Sequence, residues 1–216
     1  TLSLSGKDIA VDVNGDPVVR QDKRWASLGA TYDDTILGVD AIIDVAFANG
    51  IDGLGATGES NANDFRFATL EGSLSRNVTE TLSTKLLYTG QYAFTDLPNA
   101  VNFSLGGETY GRAFDNSAIS GDSGYALAFE ANQQLDLGID WLSAFSVFGF
   151  VDYGAVWNPP DRGGYEFASV GSVGGGIRAA VGRHTMVSTW VAVPYKDEPK
   201  LGAEGTQVRF IAGLQF

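Results

Sequence analysis

The last stretch of the chain, residues 205–216, reads GTQVRFIAGLQF and decides the class of fold. Apolar side chains stand at every second position of it: Val208, Phe210, Ala212, Leu214 and Phe216. Mostly polar or small residues fill the positions between them, and only Ile211 departs from the alternation. Because successive side chains of a β-strand point to opposite faces, this pattern predicts a strand with one apolar face.

The same alternation recurs along the whole chain. It marks eleven stretches, namely 1–13, 22–35, 39–50, 63–77, 80–95, 98–108, 123–135, 141–157, 165–181, 183–195 and 205–216. Strands of soluble sheets centre on about 5–6 residues, whereas a tilted membrane-spanning strand needs about 9–11. Most of these stretches have 11 residues or more, and their polar faces carry Gly, Ser, Asn and Gln with few charges. The pattern favours a transmembrane β-barrel with a wet lumen over a soluble sandwich.

The connections between the predicted strands support the same architecture. Short turns such as 14–16 and 181–183 alternate with longer connections rich in Gly, Asp and Asn, such as 51–62 and 109–122. In outer-membrane barrels the short turns face the periplasm and the long loops face outward. The sequence thus predicts an all-β, antiparallel transmembrane barrel in the bacterial outer membrane, with 14–16 and 181–183 on the periplasmic side.

The composition narrows the classes of function. The 216 residues include 26 acidic and 14 basic ones, a formal net charge of −12. Nucleic acid is therefore not expected as a partner, because its binding needs clustered Lys and Arg. The absence of Cys excludes disulfides and thiolate metal sites, and the one histidine, His184, is a poor basis for a metal site or a hydrolase triad. We expect no metal, no cofactor and no enzymatic activity.

The chain ends on an aromatic residue, Phe216. One interpretation is an edge strand that happens to stop there. The other is the terminal signal of bacterial outer-membrane proteins, which ends in an aromatic residue and is read by the barrel-assembly machinery. The predicted strands before it favour the second interpretation.

Two further stretches carry recognisable motifs. Residues 101–130 read VNFSLGGETYGRAFDNSAISGDSGYALAFE, and 148–157 read FGFVDYGAVW. The first contains, in order, Leu105-Gly106-Gly107, Gly111-Arg112-Ala113-Phe114, Gly121-Asp122-Ser123-Gly124 and Glu130. The second contains Phe150, Asp152 and Gly154, and the alternation places Asp152 on the polar face of its strand.

These motifs resemble the outer-membrane transporters of two-partner secretion, the TpsB or haemolysin-activator family, within the superfamily that includes the BamA insertase. The resemblance is specific over 100–216. It implies that 109–122 folds back into the lumen, that Gly111-Arg112-Ala113-Phe114 forms the tip of this loop, and that Asp152 on the wall pairs with Arg112. The chain departs from the family at Ala113, where glycine is usual. A side chain there disfavours positive φ, so we expect an effect on the shape of the tip.

The resemblance also implies a domain organisation and an activity. Barrels of this family have about sixteen strands, so 1–216 would be the C-terminal part of a barrel, with the family's periplasmic POTRA domains absent from this chain. The implied activity is export of a partner protein, and the implied partners are that protein, outer-membrane lipids and the assembly machinery. An insertase, the barrel of a patatin-like fusion, and a passive porin or adhesin barrel stay open as alternatives. The run Gly174–Gly176 is expected to allow close packing or curvature, since no helix follows it to form a phosphate cradle.

Overall fold

The structure, a computed structural model, describes residues 2–13, 16–57, 63–159, 166–182, 185–198 and 205–214, without the side chains of 8–21, 198 and 214. Ten long strands form one sheet: β1 (Leu2–Val13), β2 (Asp16–Ile36), β3 (Val39–Gly50), β4 (Arg66–Asn77), β5 (Leu82–Ala93), β8 (Ser123–Gln134), β9 (Leu142–Trp157), β10 (Phe167–Val181), β11 (Thr185–Glu198) and β12 (Gln207–Leu214). The short strands β6 (Phe103–Leu105) and β7 (Ile119–Gly121) pair only with each other.

The ten-stranded sheet is antiparallel throughout. Its spatial order is β1-β2-β3-β4-β5-β8-β9-β10-β11-β12, so each long strand pairs with the next long strand along the chain. In the described part of the chain β1 and β12 are the two edges, and the sheet is open. The predicted antiparallel all-β class is confirmed. None of the described segments contains a helix that is both long and apolar enough to cross a membrane.

The two faces of the sheet differ as the alternation predicts. On one face, apolar residues lie opposite one another in rows, such as Leu86, Phe129 and Val151 on β5, β8 and β9. Phe129 is 45% exposed and Val151 is 42% exposed, and Leu86 is partly exposed. On the other face Glu130 lies opposite Lys85, and a folded segment of the chain covers part of the surface. A sheet with its apolar face outward is the arrangement of a barrel in lipid.

The stretch 98–108 does not form a sheet-spanning strand, which corrects the predicted count of eleven strands. It contains a 3-10 turn, Asn99–Val101, and the three-residue strand β6. Its apolar residues Val101 and Leu105 are buried in clusters that include loop and wall side chains. Alternation produced by packing of a folded-in segment is indistinguishable in sequence from alternation produced by a membrane.

The expected position of the 14–16 turn is also wrong. Strands β2, β4, β8 and β10 end at one end of the antiparallel sheet, whereas β1, β3, β5, β9 and β11 end at the other. The β1–β2 connection therefore lies at the end that carries the long connections, opposite to the β10–β11 turn. The pairing of β2 with β3 begins only at Trp25, so β1 is the strand partner of residues 16–24, while the Asp22 and Arg24 carbonyls accept from the amides of Thr57 and Ile51. The β1–β2 hairpin therefore extends past the end of β3.

Adjacent leucines on β5 test the assignment of the two faces. Leu86 lies on the apolar face between Leu74 and Phe129, and Leu87 lies on the polar face between Ser73 and Ala128. We expect Leu86→Lys to destabilise the assembled barrel by about 2–4 kcal/mol, because a cation on the lipid face is costly near the bilayer midplane. The matched variant Leu87→Lys places its ammonium in the lumen and assembles far better. Heat-modifiable mobility of the full-length protein in membranes measures assembly, and equal yields of the two variants would contradict the assignment.

Candidate functional site

The segment between β5 and β8, residues 94–122, covers part of the polar face of the sheet. Gly106 and Gly107 redirect the chain after β6, with φ of +112° and +116°. The Gly106 amide donates to the Tyr110 carbonyl at 3.1 Å. A Cβ atom on Gly106 would lie 2.0 Å from the Asp115 carbonyl oxygen, so only glycine fits this position. These two glycines start the turn that carries the loop tip, which we define as residues 111–114.

Asp152 on β9 binds the backbone of the loop tip. The Gly111 amide donates to its Oδ1 at 2.7 Å, and the Arg112 amide donates to its Oδ2 at 3.4 Å. Gly111 has a φ of +72°, and the Phe114 amide closes the turn onto the Gly111 carbonyl at 2.9 Å. Successive amides in such a turn form a concave site for an anion. The Asp152 carboxylate, only 1% exposed, fills this site from the wall.

The guanidinium of Arg112 pairs with Glu130 on β8. Its Nη1 lies 3.2 Å from Glu130 Oε2, and its Cζ lies 4.1 Å from the centre of the Phe150 ring. The expected pairing of this guanidinium with Asp152 is wrong. Asp152 is occupied by the two backbone amides, while the long arginine side chain extends to Glu130, which lies opposite Phe150 in the sheet. The ion pair is shielded from water, because only 8% of the Arg112 side chain is exposed.

Sequence reasoning missed a second arginine, Arg178 on β10. Its Nη1 and Nη2 donate to Glu130 Oε1 at 2.7 Å and Oε2 at 3.0 Å, and its Cζ lies 3.8 Å from the centre of the Phe148 ring. Glu130 thus joins one cation from the loop to one from the wall. The position of Arg178 two, four and six residues after Gly176, Gly174 and Ser172, on the same face of β10, is the signal that could have found it.

Ser172 on β10 is a further residue that the sequence did not single out. Its Oγ accepts the Ala113 amide at 2.9 Å, and both residues are fully buried. The expected conflict at Ala113 does not arise, because among the described non-glycine residues positive φ occurs at Leu37, Leu54 and Ser117 only. The left-handed conformation in the tip belongs to Gly111.

Phe114 anchors the loop tip in an apolar cluster. It is fully buried, and the cluster also contains Phe148, Phe150, Val170 and Trp190. Burying a phenylalanine side chain contributes about 1.5–3 kcal/mol. Phe114 thus attaches the tip to aromatic residues of β9.

Glycines on the wall make room for this cluster. A Cβ atom on Gly154 would lie 2.5 Å from Leu105 Cδ1, and one on Gly174 would lie 2.6 Å from Phe150 Cζ. A Cβ atom on Gly176 would meet Trp190 Cβ at 2.7 Å. The Gly174–Gly176 run therefore permits close packing, as predicted. In the motif Phe150, Asp152 and Gly154, Gly154 leaves room for the Leu105 side chain of the loop, while Asp152 binds the loop backbone.

Gly121 and Asp122 hold the end of the 94–122 segment and not the loop tip. Asp122 is 1% exposed, and its Oδ2 accepts the Leu97 amide at 3.1 Å. The Asp122 amide donates to Asn158 Oδ1 at 3.1 Å. A Cβ atom on Gly121 would lie 2.9 Å from the Trp157 carbonyl oxygen, so the backbone passes close to the end of β9.

Tyr110 precedes the loop tip and stays protonated. Burial, together with the negative charge of Glu71, raises the pKa of the Tyr110 phenol to about 12. The phenol is therefore a neutral hydrogen-bonding group at any physiological pH, and the charges of the site are those of the arginines and carboxylates.

Some predicted residues lie outside the described part of the chain, and metal sites were not found within it. Phe216 and His184 are outside the described residues, so the terminal-signal interpretation stays a prediction. Across the described ranges no group of three or more His, Cys, Asp or Glu side chains is placed to hold a metal ion.

Comparison with solved structures identifies the class of the fold. CdiB from Escherichia coli matches with a TM-score of 0.82 at 20% identity, over 99% of this chain and 45% of that chain. CdiB from Acinetobacter baumannii matches with a TM-score of 0.75 at 15% identity, over 99% of this chain and 38% of that chain. The chain thus spans less than half the length of either structure. A comparison with curated proteins finds no match.

The fold is that of an outer-membrane β-barrel of the two-partner secretion class, as the sequence predicted. The model of the family described as haemolysin secretion/activation protein ShlB/FhaC/HecB matches residues 2–179, and the chain belongs to that family. The predicted location in the outer membrane of Gram-negative bacteria is confirmed. The family is one of transporters and not a known family of enzymes.

Removal of the Asp152 carboxylate tests its role as a receptor for backbone amides. Asp152→Ala leaves the buried amides of Gly111 and Arg112 without an acceptor, at a cost of about 1–3 kcal/mol for each. We expect faster hydrogen exchange over 108–118 in the full-length protein, with β4 amides unchanged. The control Asp40→Ala removes a carboxylate that accepts from Thr35 Oγ1 at 2.6 Å and leaves the tip protected. Unchanged exchange in Asp152→Ala would contradict the assigned role.

A double-mutant cycle distinguishes the two carboxylates. We expect Arg112→Gln and Glu130→Gln to be coupled by about 0.5–3 kcal/mol in the protection of the tip, because their charged groups share one network. Arg112→Gln and Asp152→Asn are nearly additive, because Asp152 binds the backbone amide that the glutamine variant keeps. Hydrogen exchange of the three single variants and the two double variants, compared with the wild type, measures both couplings. Stronger coupling to Asp152 than to Glu130 would restore the pairing predicted from sequence.

Proposed function

We propose that the full-length protein exports a partner protein across the outer membrane, without nucleotide, metal or enzymatic chemistry. In this proposal 1–216 is the C-terminal part of a barrel that further strands outside this chain close, and POTRA domains precede those strands. The segment 109–122 lies in the lumen of that barrel. Family membership and the CdiB-like fold support the proposal.

The observation that carries the proposal is the attachment of the loop tip to the wall. The tip is held by the hydrogen bonds to Asp152 and Ser172, the ion pair to Glu130 and the burial of Phe114. None of these contacts belongs to the hydrogen-bond ladders between the long strands. The tip can therefore leave the wall while the sheet stays intact, as a movable plug in a channel must.

The space next to the tip suits a polypeptide in transit. A cavity of about 660 Å³ lies beside Glu130 towards the short-turn end of the sheet. Its wall carries polar and charged side chains, among them Asp40, Asn132, Ser146 and Arg178. Mixed charges on a wide wall offer weak contacts to many sequences and no single deep ligand site. If the tip withdrew, this cavity would connect with the space that the tip now fills.

The proposed partners follow from the two faces. Lipid covers the exposed apolar side chains, such as Leu127 and Val151. The barrel-assembly machinery acts during biogenesis through Phe216, which follows β12 along the chain. The exported protein contacts the polar face after the tip withdraws.

A disulfide lock tests whether the tip must move for export. The chain has no Cys, so Ala113→Cys with Ser172→Cys introduces one pair, at positions where the Ala113 amide lies 2.9 Å from the Ser172 hydroxyl. In a bacterium lacking the native gene, mass spectrometry of the culture medium identifies the protein whose secretion depends on it. We expect the oxidised double variant to lower that secretion at least tenfold and a reductant to restore it.

The two single-cysteine variants are the controls, and the secretion of neither responds to the reductant. Full secretion by the oxidised double variant would overturn the movable-plug proposal. A secreted proteome unchanged by loss of the gene would overturn export itself and favour a passive barrel.

A further inference from the structure

We propose that Arg178 is a positioning residue that competes with Arg112 for Glu130 and thereby favours release of the loop tip from the wall. The inference rests on the proposed function in one respect, namely that the tip leaves the wall during export. It concerns a residue that the motif resemblance does not include.

The first observation is that both arginines bind the same carboxylate oxygen. Glu130 Oε2 accepts from Arg112 Nη1 at 3.2 Å and from Arg178 Nη2 at 3.0 Å. Arg178 also donates from Nη1 to Oε1 at 2.7 Å, whereas Arg112 makes a single bond to this carboxylate. Planar bidentate pairing is the stronger geometry. The wall arginine therefore holds Glu130 more firmly than the loop arginine does.

The second observation is that each of the two guanidinium groups lies over its own phenylalanine ring on β9. Arg112 lies over Phe150 and Arg178 lies over Phe148, and these two rings stack with centroids 6.3 Å apart. Two guanidinium groups on neighbouring rings and on one oxygen repel each other, and the repulsion is stronger where water is scarce. Arg178 thus weakens the binding of Arg112 while the tip is seated.

The third observation concerns what remains on the wall when the tip leaves. Arg178 belongs to β10 and stays with the sheet, so Glu130 keeps a bidentate partner after Arg112 has gone. Without Arg178, the departure of the tip would leave the Glu130 carboxylate without either of its two arginine partners, which is unfavourable for a charge on the wall. Arg178 therefore stabilises the withdrawn state and destabilises the seated state, and both effects favour release.

Competition and simple bracing predict opposite results for Arg178→Gln. If Arg178 competes, its loss strengthens the Arg112–Glu130 pair, and hydrogen exchange of the tip becomes slower. If Arg178 only braces Glu130, its loss lets the carboxylate drift, and exchange becomes faster. The Gly111 and Ala113 amides bind wall residues directly, so exchange over 108–118 reports withdrawal without any label.

The experiment measures hydrogen exchange of the full-length protein in lipid vesicles, without an exported partner. We expect Arg178→Gln to slow exchange over 108–118 about three- to tenfold, the size of coupling usual within one ion-pair network. Arg178→Lys keeps the charge and gives exchange between the wild type and Arg178→Gln. Exchange of β4 amides serves as the internal reference for an intact barrel.

Two controls isolate the competition. Lys85 lies opposite Glu130 in the β5–β8 pair and takes part in none of the ion pairs found among the described residues, so Lys85→Gln leaves tip exchange unchanged. In an Arg112→Gln background there is no loop cation to displace, and Arg178→Gln no longer slows exchange. Faster or unchanged exchange in the single variant Arg178→Gln would overturn the role assigned to Arg178. That result would leave the export proposal standing, because secretion is measured separately and in cells.

Discussion

The carboxylate of Glu130 is the group on which the arrangement of the polar face depends. It is mostly buried, and two arginines from distant parts of the chain meet at it, one carried by the loop and one by β10. A buried ionised carboxylate is tolerated only with charged and hydrogen-bonding partners. Arg178 meets this requirement from the wall, and Arg112 adds a bond from the loop tip, with two stacked aromatic rings beneath the arginines. The charge balance between loop tip and wall therefore depends on this one carboxylate.

The two carboxylates on the polar face perform different tasks. Asp152 receives backbone amides, so it recognises the conformation of the turn at Gly111 and not the side chain that follows. Glu130 receives the guanidinium, so it recognises that side chain. Together they specify both the shape and the chemistry of the tip. A segment with the wrong turn or the wrong residue would satisfy only one of the two.

The sheet has its apolar face outward and its polar face inward, so different interactions stabilise the sheet and hold the loop tip. The long strands are held by their ladders, and lipid surrounds their apolar face. The loop tip is held by a small number of polar contacts and the burial of Phe114. Because these contacts are separate from the strand ladders, the tip can change position at a cost of a few contacts. A soluble sandwich, whose core joins both layers, does not offer that independence.

The sequence by itself determined the class of fold, the boundaries of most strands and the face on which Asp152 and Glu130 lie, because alternation is a local property of extended chain. It also located the loop tip, through a resemblance carried by contiguous motifs. Only the tertiary structure decided that 98–108 belongs to the folded-in segment, that Asp152 binds backbone amides and that Arg178 shares Glu130 with Arg112. Glu130 and Arg178 stand on strands that β9 separates, and Arg112 stands on the loop, so no local pattern connects the three. Local pattern fixes which face of the sheet a side chain occupies. The partner that the side chain meets there depends on the distances between strands and on the path of the loop.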